Sequence, residues 1–102
     1  MESGWALSVR GQGVAALRAL PALGSVTVGR SFEATVPIFH VSLSRRHARL
    51  RFGRAVTIED LGSRNGTVVG GCRLEPGEMR VVQPGEVMQL GAVSVTLVPA
   101  AN

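Results

Sequence analysis

Apolar and polar residues alternate along most of this chain in short runs. Trp5, Leu7 and Val9 alternate with Ala6, Ser8 and Arg10, and Val26 and Val28 with Ser25 and Thr27. From His47 to Phe52, Ala48, Leu50 and Phe52 share one face and His47, Arg49 and Arg51 the other. Val56 and Ile58 alternate with Thr57 and Glu59, and Val87–Leu90 and Val93–Val98 read as two more strands. A period of two places successive side chains on opposite faces of a β-strand. Turn-forming residues separate the runs: Gly11-Gln12-Gly13, Gly53-Arg54, Gly62-Ser63-Arg64-Asn65-Gly66, Gly70-Gly71, Pro76-Gly77 and Pro84-Gly85. Asn65-Gly66 is a strong turn signal, because both residue types tolerate positive φ. Many short strands with frequent Gly/Pro turns predict an all-β sandwich or barrel. The segment Val14–Leu23 fits either a helical turn ended by Pro21 or a strand with Leu17 and Ala19 facing inward.

Length allows one domain and no second: the chain has 102 residues, 45% of them hydrophobic. No apolar run approaches the roughly 20 residues that cross a bilayer, and no basic-then-apolar leader opens the chain. A cytoplasmic protein without a signal peptide is expected. One cysteine, Cys72, excludes an internal disulfide and a cysteine-based zinc site, and reads as a small filler residue. His40 and His47 stand apart from any carboxylate pattern, so no metal is expected. With no nucleophile–base pair and no Gly-rich nucleotide loop, neither an enzyme nor a cofactor site is expected. The net charge is +4, and all 11 basic residues are arginine. That bias suits a high-GC bacterial source, and arginine's planar fork of donors fits a phosphate with two bonds at once.

Three polar clusters fall at strand–loop boundaries: Gly29-Arg30, Ser44-Arg45-Arg46-His47-Ala48, and Glu59-Asp60-Leu61-Gly62-Ser63-Arg64-Asn65-Gly66-Thr67. Loops at one end of a sandwich meet in space although distant in sequence. If these three meet, one rim carries Arg30, Ser44, Arg45, Arg64 and Asn65, a donor set suited to a phosphate dianion on a peptide.

The series GR, SRRHA, EDLGSRNGT and PGE–V–LG, in this order and spacing, resembles the forkhead-associated (FHA) domain over about residues 5–98, with residues 1–102 as one domain. The resemblance implies an eleven-stranded β-sandwich of the SMAD/FHA-like type, with Val14–Leu20 as a strand. It also implies phosphothreonine recognition by loops at one end. Arg30 matches the arginine that pairs with the phosphate, and Ser44 the serine that donates to it. Arg45 matches a phosphate-loop residue, Arg64 a third-loop residue that contacts the phosphate or the phosphothreonine, and Asn65 the asparagine that holds the ligand backbone. Gly29 and Gly66 match conformational glycines, and His47 a histidine that braces the loops from inside. Two features depart from the pattern. Ala34, Thr35 and His40 stand where an Asn-Asp pair and a later Asp are frequent, and Ser42 stands where some members carry a basic residue that selects the third residue after phosphothreonine.

The expected partner is a phosphothreonine-containing protein, either a Ser/Thr kinase substrate or an autophosphorylated kinase. The alternative is an FHA fold used as a phosphate-independent scaffold or secretion-complex assembly surface. Specific nucleic-acid binding is not expected, since Trp5, Phe32, Phe39 and Phe52 are the only aromatic residues and no nucleic-acid motif is present. No membrane partner is expected. Arg46, Arg49, Arg51 and Arg54 read as a solvated strand face, Asp60 as a loop hydrogen-bonding residue and Glu59 as outward-facing.

Overall fold

The computed structural model describes residues 2–11, 13–22 and 24–100; Gln12 and Leu23, within the expected turn and the 14–23 segment, lie outside these. Eleven strands follow one another: β1 (Glu2–Gly11), β2 (Val14–Pro21), β3 (Gly24–Gly29), β4 (Val36–Pro37), β5 (Ala48–Phe52), β6 (Val56–Asp60), β7 (Thr67–Val69), β8 (Cys72–Arg73), β9 (Met79–Val82), β10 (Val87–Leu90) and β11 (Val93–Pro99). They form two sheets, ordered β2-β1-β11-β10-β7-β8 and β4-β3-β5-β6-β9. The strand pairings are antiparallel apart from β3–β4, where Val28 faces Val36 and Gly29 faces Pro37.

The period-two pattern places the core. Leu7, Val9, Val69, Met88, Leu90, Val93, Val95 and Leu97 project from the six-stranded sheet, and Val26, Val28, Ala48, Leu50, Ile58 and Val82 from the five-stranded one; all are buried. Leu20, Ile38, Leu43 and Leu74 close its edges. Stripping a fully buried leucine of water is worth about 1.5–3 kcal/mol, so this layer holds the two sheets face to face.

Two sequence expectations are corrected. In β2, Leu17 and Ala19 face solvent, with Leu17 58% exposed, while Ala16 and Leu20 turn toward the core. The register explains it, because directly paired residues share a sheet face. Ala16 pairs with core-facing Val9, whereas Leu17 pairs with Ser8 on the opposite face, and Ala19 follows Leu17 on that face. Cys72 fills no core gap; it is exposed on β8, a two-residue strand at a sheet edge. The Asn65-Gly66 pair lies in a crossing between layers. β6 and β7 belong to different sheets, so the segment between them crosses from one layer to the other, and Gly66 alone of the pair takes a positive φ, +88°.

Leu50→Ala is expected to cost about 2–5 kcal/mol of stability through a cavity between the sheets. Leu17→Ala is expected to change stability by less than about 0.5 kcal/mol, as exposed substitutions do. Urea denaturation of the two variants checks both values.

Candidate phosphate-binding rim

The three polar clusters meet at one end of the sandwich, and main-chain hydrogen bonds bring the first two together. At the end of β3 the Arg30 N–H donates to the Ser44 carbonyl at 2.9 Å, the Ser31 N–H to Arg45 at 3.3 Å, and the His47 N–H to Val28 at 2.9 Å. Gly29 is glycine because of this approach: a Cβ there would run into the Arg45 carbonyl. The Arg30 side chain is tied down at one point, its Nε donating to the Leu43 carbonyl at 3.0 Å. The two Nη groups lie beyond that anchor and have no protein acceptor among the described residues.

The third cluster winds around the Asp60 carboxylate. Asp60 is buried, and its oxygens accept the N–H groups of Gly62 and Ser63 at 2.9 and 3.0 Å and the hydroxyls of Ser63 and Thr67. The Ser63 hydroxyl oxygen in turn accepts the Gly66 N–H at 3.0 Å. Desolvation works to raise the Asp60 pKa, but the bonds from Ser63, Thr67 and Gly62 outweigh it, so the carboxyl sits below its ordinary range. An Asp two residues before a Gly makes such an Asx turn legible in the sequence.

His47 links the second cluster to the third. The ring is fully buried, its Nδ1 accepts the Ser44 N–H at 3.1 Å, and its Nε2 lies 2.9 Å from the Gly66 carbonyl. A carbonyl only accepts, so Nε2 carries the hydrogen and the ring is the neutral tautomer. Burial lowers the His47 pKa; the Gly66 bond and the charge of Asp60 act in the opposite direction without cancelling it.

The other expected site residues sit on this frame. The Ser44 hydroxyl oxygen accepts the Arg64 N–H at 2.9 Å, which leaves the hydroxyl hydrogen with no protein acceptor among the described residues. The Asn65 Nδ2 donates to the Ser42 carbonyl at 2.9 Å, leaving its Oδ1 unbonded among those residues. Arg64 and Asn65 are exposed. Arg45 is placed differently: it lines a pocket of about 430 Å³ with Thr27, Ser31, Glu33, Ala34 and Arg46. The ion pairs of the described residues are Arg51–Glu59 and Arg80–Glu78, so Arg30, Arg45 and Arg64 have no carboxylate partner there.

Sequence reasoning gives Ser42 only as a position that bears on ligand choice and Gly91 only as part of the LG motif, and it passes over Arg73. Ser42 ties the rim to the turn after β10, its hydroxyl oxygen accepting the Ala92 N–H at 2.9 Å. Gly91 packs so close that a Cβ would lie 2.5 Å from the Ser42 carbonyl oxygen. Arg73 lies against Gly66, where a Cβ would be 2.7 Å from its Cζ. These contacts join distant segments, and no local pattern announces them.

Protonating His47 would set a second N–H against that of Ser44. In the unfolded chain this ring takes up a proton near its ordinary value of 6.5, while in the folded chain it resists to lower pH. The unfolded state therefore binds more protons, and stability falls as pH drops below about 6.5, by at most about 1.4 kcal/mol per pH unit for one group. His47→Ala is expected to cost about 2–5 kcal/mol near pH 8 through the cavity and the two orphaned backbone groups. The gap from the parent should narrow toward pH 5. Denaturation curves across that range measure it.

The FHA domain family model matches residues 26–91, more than half of the chain and the whole stretch that carries the three clusters. Among characterised proteins, FraH from a Nostoc species is 37% identical over 79 residues, which is 70% of this chain and 27% of that protein. The oxoglutarate dehydrogenase inhibitor of Corynebacterium glutamicum is 37% identical over 68 residues, 66% of this chain and 46% of that protein. The chain thus spans less than half the length of these relatives. Among solved structures, the FHA domain of the CT664 protein from Chlamydia trachomatis superposes with a TM-score of 0.83 at 31% identity, covering 95% of this chain and 98% of that one. The FhaA FHA domain, solved in complex with the intracellular domain of Rv3910, superposes with a TM-score of 0.78 at 26% identity, covering 91% and 98%. With two sheets in the matching arrangement and the motif loops gathered at one end, the chain belongs to the FHA domain family.

Proposed function

We propose that this chain is a phosphothreonine-dependent docking module, which joins its host protein to a partner marked by a Ser/Thr kinase in the cytoplasm. The partner is a kinase substrate or the autophosphorylated kinase itself. The observation that carries this reading is the state of the rim. The side chains of Arg30 and Asn65 are each fixed through one atom, and that of Ser44 through its hydroxyl oxygen, while the remaining side-chain hydrogen-bonding groups of all three lack protein partners among the described residues. Arg64 and Arg45 add positive charge with no carboxylate to neutralise it. A phosphate dianion completes such a set: it takes the Nη groups of Arg30 as a fork and the Ser44 hydroxyl hydrogen. Asn65 then holds the ligand backbone next to the phosphorylated residue. FhaA, a relative by structure, has been solved with an intracellular protein domain, which fits docking onto a folded partner.

Phosphothreonine is favoured over phosphoserine through its methyl group, because the two dianions are alike. The methyl lies near Asn65, between the loops of Ser44 and Arg64. One methyl in a pocket is worth about 1–3 kcal/mol, or about 5- to 150-fold.

A phosphothreonine peptide is expected to bind with a Kd on the order of micromolar, about −8 kcal/mol, and its unphosphorylated copy far more weakly. Equal affinity for both would favour the phosphate-independent scaffold reading. Tight, sequence-specific binding of duplex DNA at physiological salt would favour a nucleic-acid role instead.

Arg30→Ala should cost about 2–5 kcal/mol of peptide binding, and Arg30→Lys should restore only part of it, since a point charge replaces a fork. Ser44→Ala should cost about 1.5–3 kcal/mol. Affinity should also decline below about pH 6 as the phosphate takes its second proton. Calorimetric titration of the variants, with phosphoserine and phosphothreonine copies of one peptide, checks these values.

A further inference from the structure

Arg73 projects from β8, where it pairs across the sheet with Val68. Its guanidinium occupies the space that a side chain on Gly66 would fill: a Cβ there would lie 2.7 Å from Cζ, 2.8 Å from Nε and 3.0 Å from one Nη. Gly66 has φ of +88°, so its open face is a fixed property of the turn. The guanidinium is therefore held against the backbone directly after Asn65. Arg73 is exposed, and no carboxylate or other acceptor among the described residues engages it.

Ser42, the other residue placed to read the ligand's flanking positions, is committed elsewhere. Its hydroxyl bonds His40 Nδ1 at 2.8 Å and accepts the Ala92 N–H, and its carbonyl accepts the Asn65 amide.

We propose that Arg73 is a specificity residue, which selects an anionic side chain on the peptide close to the phosphothreonine. The proposal rests on the phosphothreonine reading above. The shared chemistry is a planar or tetrahedral oxyanion taken by an arginine fork, and both an Asp or Glu carboxylate and a second phosphate meet it. Reach sets the position. Asn65 and Gly66 are neighbours with Cα atoms about 3.8 Å apart, and an extended ligand advances about 3.3–3.6 Å per residue. Only side chains within about three residues of the phosphothreonine come near the guanidinium.

The experiment is an anisotropy titration of the full chain with phosphothreonine peptides in a neutral background. A single Glu is walked through the three positions on each side of the phosphothreonine. Glu is expected to tighten binding about 2- to 5-fold at one position or two adjacent ones, the range of a solvent-exposed ion pair. The gain should disappear in Arg73→Gln, which keeps the stem over Gly66, while affinity for the neutral phosphopeptide stays the same. In Arg73→Glu the preference should reverse, so that Arg at that position binds better than Glu. Phosphoserine in place of Glu at the same position separates the two sources: a larger gain identifies a second phosphate as the better match, an equal or smaller one a carboxylate, and both keep the assignment.

A flat Glu scan, or a gain that persists in Arg73→Gln, overturns the role of Arg73 while leaving phosphothreonine binding intact. A neutral phosphopeptide that binds no better than its unphosphorylated copy overturns both readings. Melting curves of the two variants confirm that the comparison is made on folded protein.

Discussion

The imidazole of His47 is the constraint on which the binding end depends. It has no exposed surface, and both of its nitrogens are committed, one to the Ser44 N–H and the other to the Gly66 carbonyl. The two loops it joins lead into strands of different sheets, β5 and β7, and the bonds from Arg64 to Ser44 and from Asn65 to Ser42 join them nearer the surface, above this buried link. A hydroxyl or an amide in its place could not span the same distance with a rigid ring and offer one donor and one acceptor on opposite sides. The contact works only in the neutral state, and burial supplies that state by disfavouring the charged ring. Asp60 plays the complementary part. It remains ionised in a buried place because four donors surround it, and those same donors shape the turn that carries Arg64 and Asn65.

The exposed parts of the rim follow from this interior. Arg30 is held at Nε and Asn65 at Nδ2, so each keeps one end fixed and one end available. Freezing a long, rotamer-rich side chain on binding costs about 0.5–1.5 kcal/mol, and an anchor made in the free protein removes part of that cost beforehand. The uncompensated arginines at this end, Arg30, Arg45, Arg64 and Arg73 among them, are tolerable because they lie at the surface, where water screens their repulsion. The glycines serve the same geometry by leaving space: Gly29 admits the Arg45 carbonyl and Gly91 the Ser42 backbone.

Much of this was legible in the chain itself, and the limits have physical causes. Strands with one buried face, such as Ala48–Phe52 and Val93–Pro99, announced themselves by strict alternation. β2 did not, because an edge strand covers its inward face only in part and its outward face carries apolar Leu17 and Ala19. The short strands β4 and β8 have two residues each, too few for a period to show. In the binding loops, residue types with narrow uses, the Gly-Arg, Ser-x-x-His and Asn-Gly pairs, could be read directly. The contacts of Ser42 with Gly91 and Ala92 could not, since they join segments far apart in sequence, nor could that of Arg73 with Gly66, which depends on how β8 pairs with β7. Cys72 misled for a related reason: cysteine prefers interiors, but nothing local says that the strand bearing it ends a sheet.

The passage of residues 61–66 from the five-stranded to the six-stranded sheet makes the width of the rim a property of the core. Packed sheets stand about 10 Å apart, a distance set by the side chains between them. Leu50, Ile58, Leu90 and Met88 thus act as a gauge block beneath the loops, although none of them meets a ligand. The His47 ring, whose own width cannot change, fixes the spacing again at the mouth. In this domain the calibre of the opening is ground into the hydrophobic layer and checked at the entrance by a single aromatic spacer.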